Sequence, residues 1–354
     1  VSVSTWVADR VPTDRIHLDA AACGRMSQAV LAATTAHLLL EAQLGGYVAE
    51  AQATPEIDLG RAALGSTVGL KGSDVAFSEN GGASFATLLD AWPLEVGARI
   101  GTVTSEYGGN ARVLRDRAAA RQWQLVVLET DDLGRITEVP EDLDLITFPQ
   151  VASQRGVLQP VLGTRTPVIL DVAQSLGQTE VPTGMAAYVG TSRKWLCGPR
   201  GVGFVMVDPS WHAALKDPAT LGPTYYDDLR RFDSSETNVA GRVGLALAAR
   251  TWSPAVLPVL QAAAQAARVL LEGAGGWRVV EPVAEATGIT TLIHERADAF
   301  ATRAALVAQG FVLSAVPLAR ADDMTVPVLR VSTAAWATPG DLEALAAALD
   351  AHTQ

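Results

Sequence analysis

Between about residues 70 and 210 the chain alternates short, nearly uninterrupted apolar runs with longer amphipathic ones, and few folds accommodate that rhythm. The runs at 74–78 (DVAFS), 99–104 (RIGTVT), 124–129 (QLVVLE), 144–148 (DLITF), 168–171 (VILD), 186–190 and 203–207 read as strands, and 84–92 and 110–123 have helical spacing. Strands separated by helical segments predict a mostly parallel sheet with helices on both faces. Strands apolar on both sides fit that double burial. After residue 235 the character changes to Ala/Leu-rich helices at 239–250 and 256–273, strands at 288–293, 311–315 and 328–332, and helices at 296–309 and 339–351. The expected α/β architecture has a large domain over 26–240, with a mostly parallel, mixed seven-stranded sheet between helices. A smaller C-terminal α+β domain follows over 241–354, and segment 1–25 packs on one or the other.

Composition narrows the function classes. With 49% hydrophobic and 18% charged residues, the chain has the apolar surface that disordered proteins lack. Its net charge is −11, which speaks against a nucleic-acid partner, because such proteins carry a basic face. No run reaches the ~18 uncharged apolar residues of a membrane span. Asp9, Arg10, Asp14 and Arg15 interrupt the place where a signal peptide needs its apolar stretch, so none is expected. Two cysteines, Cys23 and Cys197, make no disulfide framework, and the expected location is the cytoplasm. The five histidines show no metal-ligand spacing, so no metal is assigned. Lysine occurs at only three positions, Lys71, Lys194 and Lys216. Any chemistry that needs a lysine therefore has three candidates.

In open α/β sheets ligands bind beyond the carboxyl ends of the strands. After the first strand comes Ser78-Glu79-Asn80-Gly81-Gly82-Ala83-Ser84, which opens a helix. Consecutive glycines let the backbone approach an anion, and a helix start offers free N–H groups. The segment reads as a phosphate cradle, with Ser84 at a capping position; an ordinary glycine turn with a cap explains the same residues. After the second strand, Tyr107 precedes two glycines, placed either as an aromatic plate over a flat ligand or as a surface tyrosine. The strand at 168–171 ends in Asp171, which is costly to bury without a partner; it pairs with a ligand cation or caps the next helix. Lys194 follows a strand and precedes the Gly/Pro-rich turn Cys197-Gly198-Pro199-Arg200-Gly201, whereas Lys71 and Lys216 lie in solvated turns. Apolar surroundings and neighbouring cations make a lysine lose its proton and become a nucleophile. A phosphate cradle, an aromatic plate, an acid and a lysine are together what pyridoxal 5'-phosphate requires.

These motifs resemble the class V aminotransferase and cysteine desulfurase superfamily of fold-type I pyridoxal-phosphate enzymes. The resemblance runs from Leu18-Asp19-Ala20-Ala21 through Gly82-Ala83-Ser84, Glu106-Tyr107, Asp171-Val172-Ala173-Gln174-Ser175 and Arg193-Lys194-Trp195-Leu196. It continues to Glu236-Thr237-Asn238 and Leu329-Arg330-Val331-Ser332. It implies that Lys194 forms the Schiff base with the cofactor and that Asp171 pairs with the pyridine nitrogen. Gln174 and Ser153 would face the ring hydroxyl. Ser84, Thr191 and Arg193 would hold the phosphate, helped by the N–H groups of Gly82 and Ala83. Thr237 would reach the phosphate in the neighbouring subunit of a homodimer, and Arg330 would clamp the substrate carboxylate. Two positions depart from the superfamily pattern, since Arg193 and Tyr107 stand where it usually has histidines. Both keep the physical role, a phosphate donor and an aromatic plate.

The cofactor permits several reactions. Cysteine desulfurases need a mobile cysteine in the small domain, and no cysteine follows Cys197. Cys23 and Cys197 are read as structural thiols. The compact N-terminus, Tyr107, Ser153-Gln154-Arg155-Gly156 and the run from Thr191 to Gly201 most resemble the carbon–sulfur lyases of ergothioneine biosynthesis. Those enzymes cleave hercynylcysteine sulfoxide to ergothioneine, after reduction of a sulfenate, with pyruvate and ammonia. That substrate carries a trimethylammonium group, for which Tyr47, Tyr225 and Tyr226 are candidate aromatic faces, with ordinary loop packing as the alternative. An epimerase, a different cysteine-conjugate β-lyase and a non-catalytic dimeric relative remain the competing readings.

Overall fold

The computed structural model describes residues 2–218, 226–234 and 236–352. The chain begins with α1 (Val3–Ala8), β1 (Ile16–His17), α2 (Gln28–Leu44) and α3 (Gly46–Ser66). The expected alternation follows as β2 (Val75–Ser78), α4 (Gly81–Ala91), β3 (Arg99–Thr102), α5 (Gly108–Arg121) and β4 (Gln124–Val127). Four further strands, β5 (Leu145–Pro149), β6 (Val168–Asp171), β7 (Ala187–Thr191) and β8 (Gly203–Val207), complete a seven-stranded sheet. Its order is β2-β8-β7-β6-β5-β3-β4. Only β8 runs antiparallel to its neighbours; every other adjacent pair is parallel. Two reversals restore the direction of β2, so Ser78, Thr102, Pro149, Asp171 and Thr191 all end at one edge.

Side chains alternate across a strand, and the core divides accordingly. Val168 and Leu170 of β6, with Phe204 and Met206 of β8, face Leu64 of α3 and join one cluster. Ile169, Val205 and Val207 face Phe85 and Leu88 of α4 and Leu114 of α5 on the other side. β4 lies at the sheet edge, which explains why Gln124 and Val127 are exposed although the run reads as apolar.

The C-terminal part comprises α6 (Val239–Thr251), α7 (Val256–Leu271), β9 (Arg278–Val279), β10 (Ile289–Ile293), α8 (Ala299–Ala308), β11 (Phe311–Val312), β12 (Ser314–Val316), β13 (Val328–Ser332) and α9 (Pro339–His352). An antiparallel sheet in the order β12-β13-β10-β9 packs against α7, α8 and α9. One expectation needs correction. The run at 311–315 is two strands, because β11 pairs in parallel with β1 while β12 pairs with β13. The N-terminal segment consequently docks on the small domain, where Leu18 enters the core. α6, which follows the boundary expected at residue 240, packs on α2 and α3, and its Leu245 joins the same cluster as Leu64 of α3. Gly60 lies directly against Ala246, where a Cβ would collide, so the two helices approach closely. Among the described residues no single helix is long and apolar enough to cross a membrane.

Behind β2 sits a buried charge cluster. Asp233 accepts from both Arg61 Nη atoms and from the Phe77 N–H (2.7 Å), and Arg242 lies 3.7 Å from the same carboxylate. Arg61 and Arg242 are both buried. Removing one member of such a cluster leaves uncompensated buried charge. Asp233→Asn is expected to lower the unfolding free energy by about 3–5 kcal/mol in a urea titration. Asp58→Asn, at the exposed end of the same cluster, is expected to cost less than ~1 kcal/mol. Equal effects would contradict this account.

Candidate active site

The carboxyl edge of the large sheet and the face of the small domain enclose a cleft of about 500 Å3. Its lining brings together most of the residues singled out in the sequence: Gly82, Tyr107, Ser153, Asp171, Gln174, Thr191, Arg193, Lys194 and Arg330. Lys194 lies on the return from β7 to β8, and Asp171 is the last residue of the neighbouring β6. Both are half-buried, opening only to the cleft. Burial pushes the Lys194 amine down to about 7; Asp171 opposes this, while Arg193, Arg330 and Arg320 reinforce it. Burial likewise raises the Asp171 carboxyl, against the pull of Lys194 and of its hydrogen bonds. Those bonds come from the Ala173 N–H (2.8 Å) and from Asn110 Nδ2 (2.9 Å).

The glycine loop departs from expectation at two residues. Asn80 is the cap of α4, and its Oδ1 accepts from the Ala83 N–H at 3.0 Å. Ala83 therefore offers no free donor. Ser84 lies beneath the helix, fully buried, with Oγ 2.6 Å from Ser78 Oγ, and does not line the cleft. Asparagine binds its own helix start as well as serine does, so the cap falls four residues earlier than expected. Gly81 and Gly82, in the first turn, face the cleft in its place.

Tyr107 immediately precedes α5, with the Arg320 guanidinium 5.5 Å from its ring centre. A Cβ at Gly109 would stand 2.7 Å from Tyr107 Cε1, so only glycine lets the ring lie across the helix start. Gln174 is already committed: its Nε2 donates to the Ala21 carbonyl (3.0 Å) and its Oε1 accepts from Trp195 Nε1 (2.9 Å). Ser153 Oγ is buried without a partner, while its carbonyl accepts from Arg330 Nη1 at 2.6 Å. Thr191 Oγ1 donates to the Val202 carbonyl at 3.3 Å. Arg330 reaches Asp19 at 3.5 Å, and Ser314 Oγ holds that aspartate at 2.8 and 2.9 Å. Cys197 is buried and its thiol is pushed up to about 12, which keeps it protonated and unreactive.

Four named residues stand apart. Tyr47 is 86% exposed on α3, and Tyr226 packs against the Arg230 guanidinium at 4.5 Å; neither lines the cleft. Thr237, just before α6, does not line it either. Tyr225 lies outside the described residues. Conversely, Asn80, Asn110, Arg200, Ser314 and Arg320 line the cleft without having been expected there. Only Asn80 had a local signal, as a capping residue before two glycines. The others arrive through domain docking and turn geometry.

The residues fit pyridoxal phosphate. A helix start with two glycines and an Arg193 that has no ion-pair partner among the described residues suits a dianion. An unpartnered buried hydroxyl at Ser153 awaits a polar group. An amine and a carboxylate face the same space.

The sequence profile of the aminotransferase class-V family matches residues 16–345. A protein of Mycobacterium tuberculosis (strain CDC 1551 / Oshkosh) described as a probable hercynylcysteine sulfoxide lyase is 35% identical, with 98% of this chain and 93% of that protein covered. Among solved structures, the apo cysteine desulfurase from Thermococcus onnurineus NA1 superposes with a TM-score of 0.88 at 16% identity, covering 100% of this chain and 98% of that one. The cystine C–S lyase C-DES, in complex with its product cysteine persulfide, gives 0.84 at 16% identity over 96% and 98%. The architecture is thus the fold-type I arrangement expected from the sequence, and the match across nearly the whole chain shows that it belongs to the class-V aminotransferase family.

Proposed function

We propose that this chain is a pyridoxal-phosphate-dependent carbon–sulfur β-lyase that cleaves hercynylcysteine sulfoxide. The products are the sulfenic acid of ergothioneine, pyruvate and ammonia, with one water consumed. The observation that carries the reading is the meeting of Lys194, Asp171 and Arg330 in one cleft. When bound, pyridoxal phosphate supplies an aldehyde that takes up the substrate amine and a ring that accepts the electron pair released at Cα.

The chain's own residues do the rest. The first-turn N–H groups of Gly81 and Gly82, with Arg193, bind the phosphate, and Thr191 joins them once its hydroxyl turns from the Val202 carbonyl. Asp171 keeps a proton on the ring nitrogen. Arg330, aimed by Asp19 and the Ser153 carbonyl, orients the substrate carboxylate. Lys194 then removes the Cα proton as general base, and its lowered proton affinity suits that task near neutral pH. A sulfoxide leaves as an already stabilised sulfenate, so no separate strong acid is required.

A homodimer is part of this reading. Leu31, Leu38, Leu39 and Leu44 of α2, with Tyr47 and Val48 at the start of α3, are large apolar side chains left exposed on these two helices. Such a patch favours a partner, and a second copy would let Thr237 reach the neighbouring phosphate. Tyr47 and Tyr226 remain candidates for the trimethylammonium group only across that interface.

The test is a panel of cysteine conjugates and their sulfoxides, with pyruvate and ammonia measured. Hercynylcysteine sulfoxide is expected to react best, and Lys194→Ala is expected to lower turnover by roughly 10²–10⁴-fold. Recovery of an intact, epimerised amino acid would instead identify an epimerase. A second prediction follows from the amine. Only the neutral form attacks an aldehyde, so uptake of pyridoxal phosphate by the cofactor-free chain should accelerate as pH rises through about 7 and level off above it. A midpoint near the ordinary lysine value of 10.5 would contradict the site's electrostatics.

A further inference from the structure

Behind Asp171 lies a second buried carboxyl group that the proposed chemistry does not use. Glu106 is 1% exposed. Its Oε1 accepts from the Tyr107 N–H (2.7 Å) and from Asn110 Nδ2 (3.2 Å), and its Oε2 is buried without a partner. The same Nδ2 donates to Asp171 Oδ2. One side-chain amide, 2% exposed in the first turn of α5, thus spends both its hydrogens on two carboxyl groups.

This arrangement constrains charge and aim together. Two buried carboxyl groups sharing one donor cannot both ionise cheaply, because each charge penalises the other. Burial, then the proximity of Asp171, pushes the Glu106 carboxyl up to about 8, despite the hydrogen bonds from Tyr107 and Asn110. An unpartnered Oε2 tolerates a proton far better than a negative charge. Lys194 pulls Asp171 the other way, toward the anion. The single charge therefore settles on the carboxylate that faces the cleft. With Ala173 on Oδ1 and Asn110 on Oδ2, that carboxylate also has little freedom to rotate.

We propose that Glu106, acting through Asn110, is a positioning residue: it stays protonated and holds Asp171 as the sole, correctly aimed negative charge at the ring-nitrogen end of the cleft. The inference rests on the cofactor reading above and adds the device that orients its acid.

The experiment compares two cofactors on the full-length chain stripped of its own. Pyridoxal phosphate and its 1-deaza analogue differ only in the ring nitrogen, so their affinity ratio at pH 7 reports the Asp171 contact. A generally loosened site would weaken both alike and leave the ratio unchanged. The native chain is expected to prefer pyridoxal phosphate. Asn110→Ala and Glu106→Leu are expected to cut that preference about tenfold or more, the scale of a lost hydrogen bond to a charged group. Glu106→Gln mimics the protonated acid and is expected to keep the preference within about twofold. Thermal melting of the cofactor-free proteins identifies any variant that fails to fold. Should Glu106→Leu do so, Asn110→Ala and Glu106→Gln still decide. A native-like ratio in Asn110→Ala, or a lost preference in Glu106→Gln, would overturn the proposal. No substrate enters the measurement, so failure to form pyruvate would refute the lyase reading alone. Equal affinity of the native chain for both cofactors would overturn the role given to Asp171 and this proposal with it.

Discussion

An ammonium and a carboxylate buried in one cleft each depend on the other for their charge. Lys194 loses proton affinity through burial and regains part of it from Asp171; Asp171 is pushed up by burial and drawn back by Lys194. Neither group would be shifted this way on an open surface, where water screens such effects. The parallel strands β6 and β7 are adjacent, so the aspartate ending one and the lysine following the other meet at the same sheet edge. The small domain faces that edge across the cleft.

The cleft is bounded by the junction between domains. Trp195, next to the lysine, is buried with Trp6, Trp336 and Ile289 from elements on the other side of the cleft. Asp323 accepts from Gln154 Nε2 at 2.9 Å and from Arg155 at 2.8 Å, and Glu281 accepts from the N–H groups of Gly156 and Thr291, both at 2.7 Å. These polar ties cross between sheet and small domain beside Ser153. The segment that carries Ser153 is therefore clamped from both sides. Positioning by rigid neighbours is what lets a buried charge keep a useful orientation instead of relaxing toward water.

Charge is distributed unevenly. The chain is acidic, with net charge −11, yet Arg193, Arg200, Arg320 and Arg330 line one cleft. Of these only Arg330 has a carboxylate partner among the described residues. A cationic cleft in an acidic protein focuses anions where they are needed and repels them elsewhere. Burial, then Arg200 and Arg320, lower the proton affinity of Arg193, and Arg193, Arg330 and Arg320 add to the burial that lowers Lys194, so the same charges serve ligand attraction and amine activation.

Periodicity in the chain was enough to place the strands of the large sheet, because a strand buried on both faces must be apolar at successive positions whatever its partners are. Lys194, Asp171 and the Gly81-Gly82 turn were legible for a related reason: they follow strands, and strand ends in such a sheet converge. Strand order, the reversal of β8, and the attachment of β1 to β11 were decided only by tertiary packing, since hydrogen bonding between distant segments leaves no local trace. The cap at Asn80, which displaced Ser84, is a local bond to Ala83 and had a local signal; Asn110 and Arg320 had none. Their roles depend on a neighbour more than sixty residues away in the chain (Asp171) and on the docking of a separate domain. Local chemistry dictates what a residue can do; only the fold brings it the partner with which to do it.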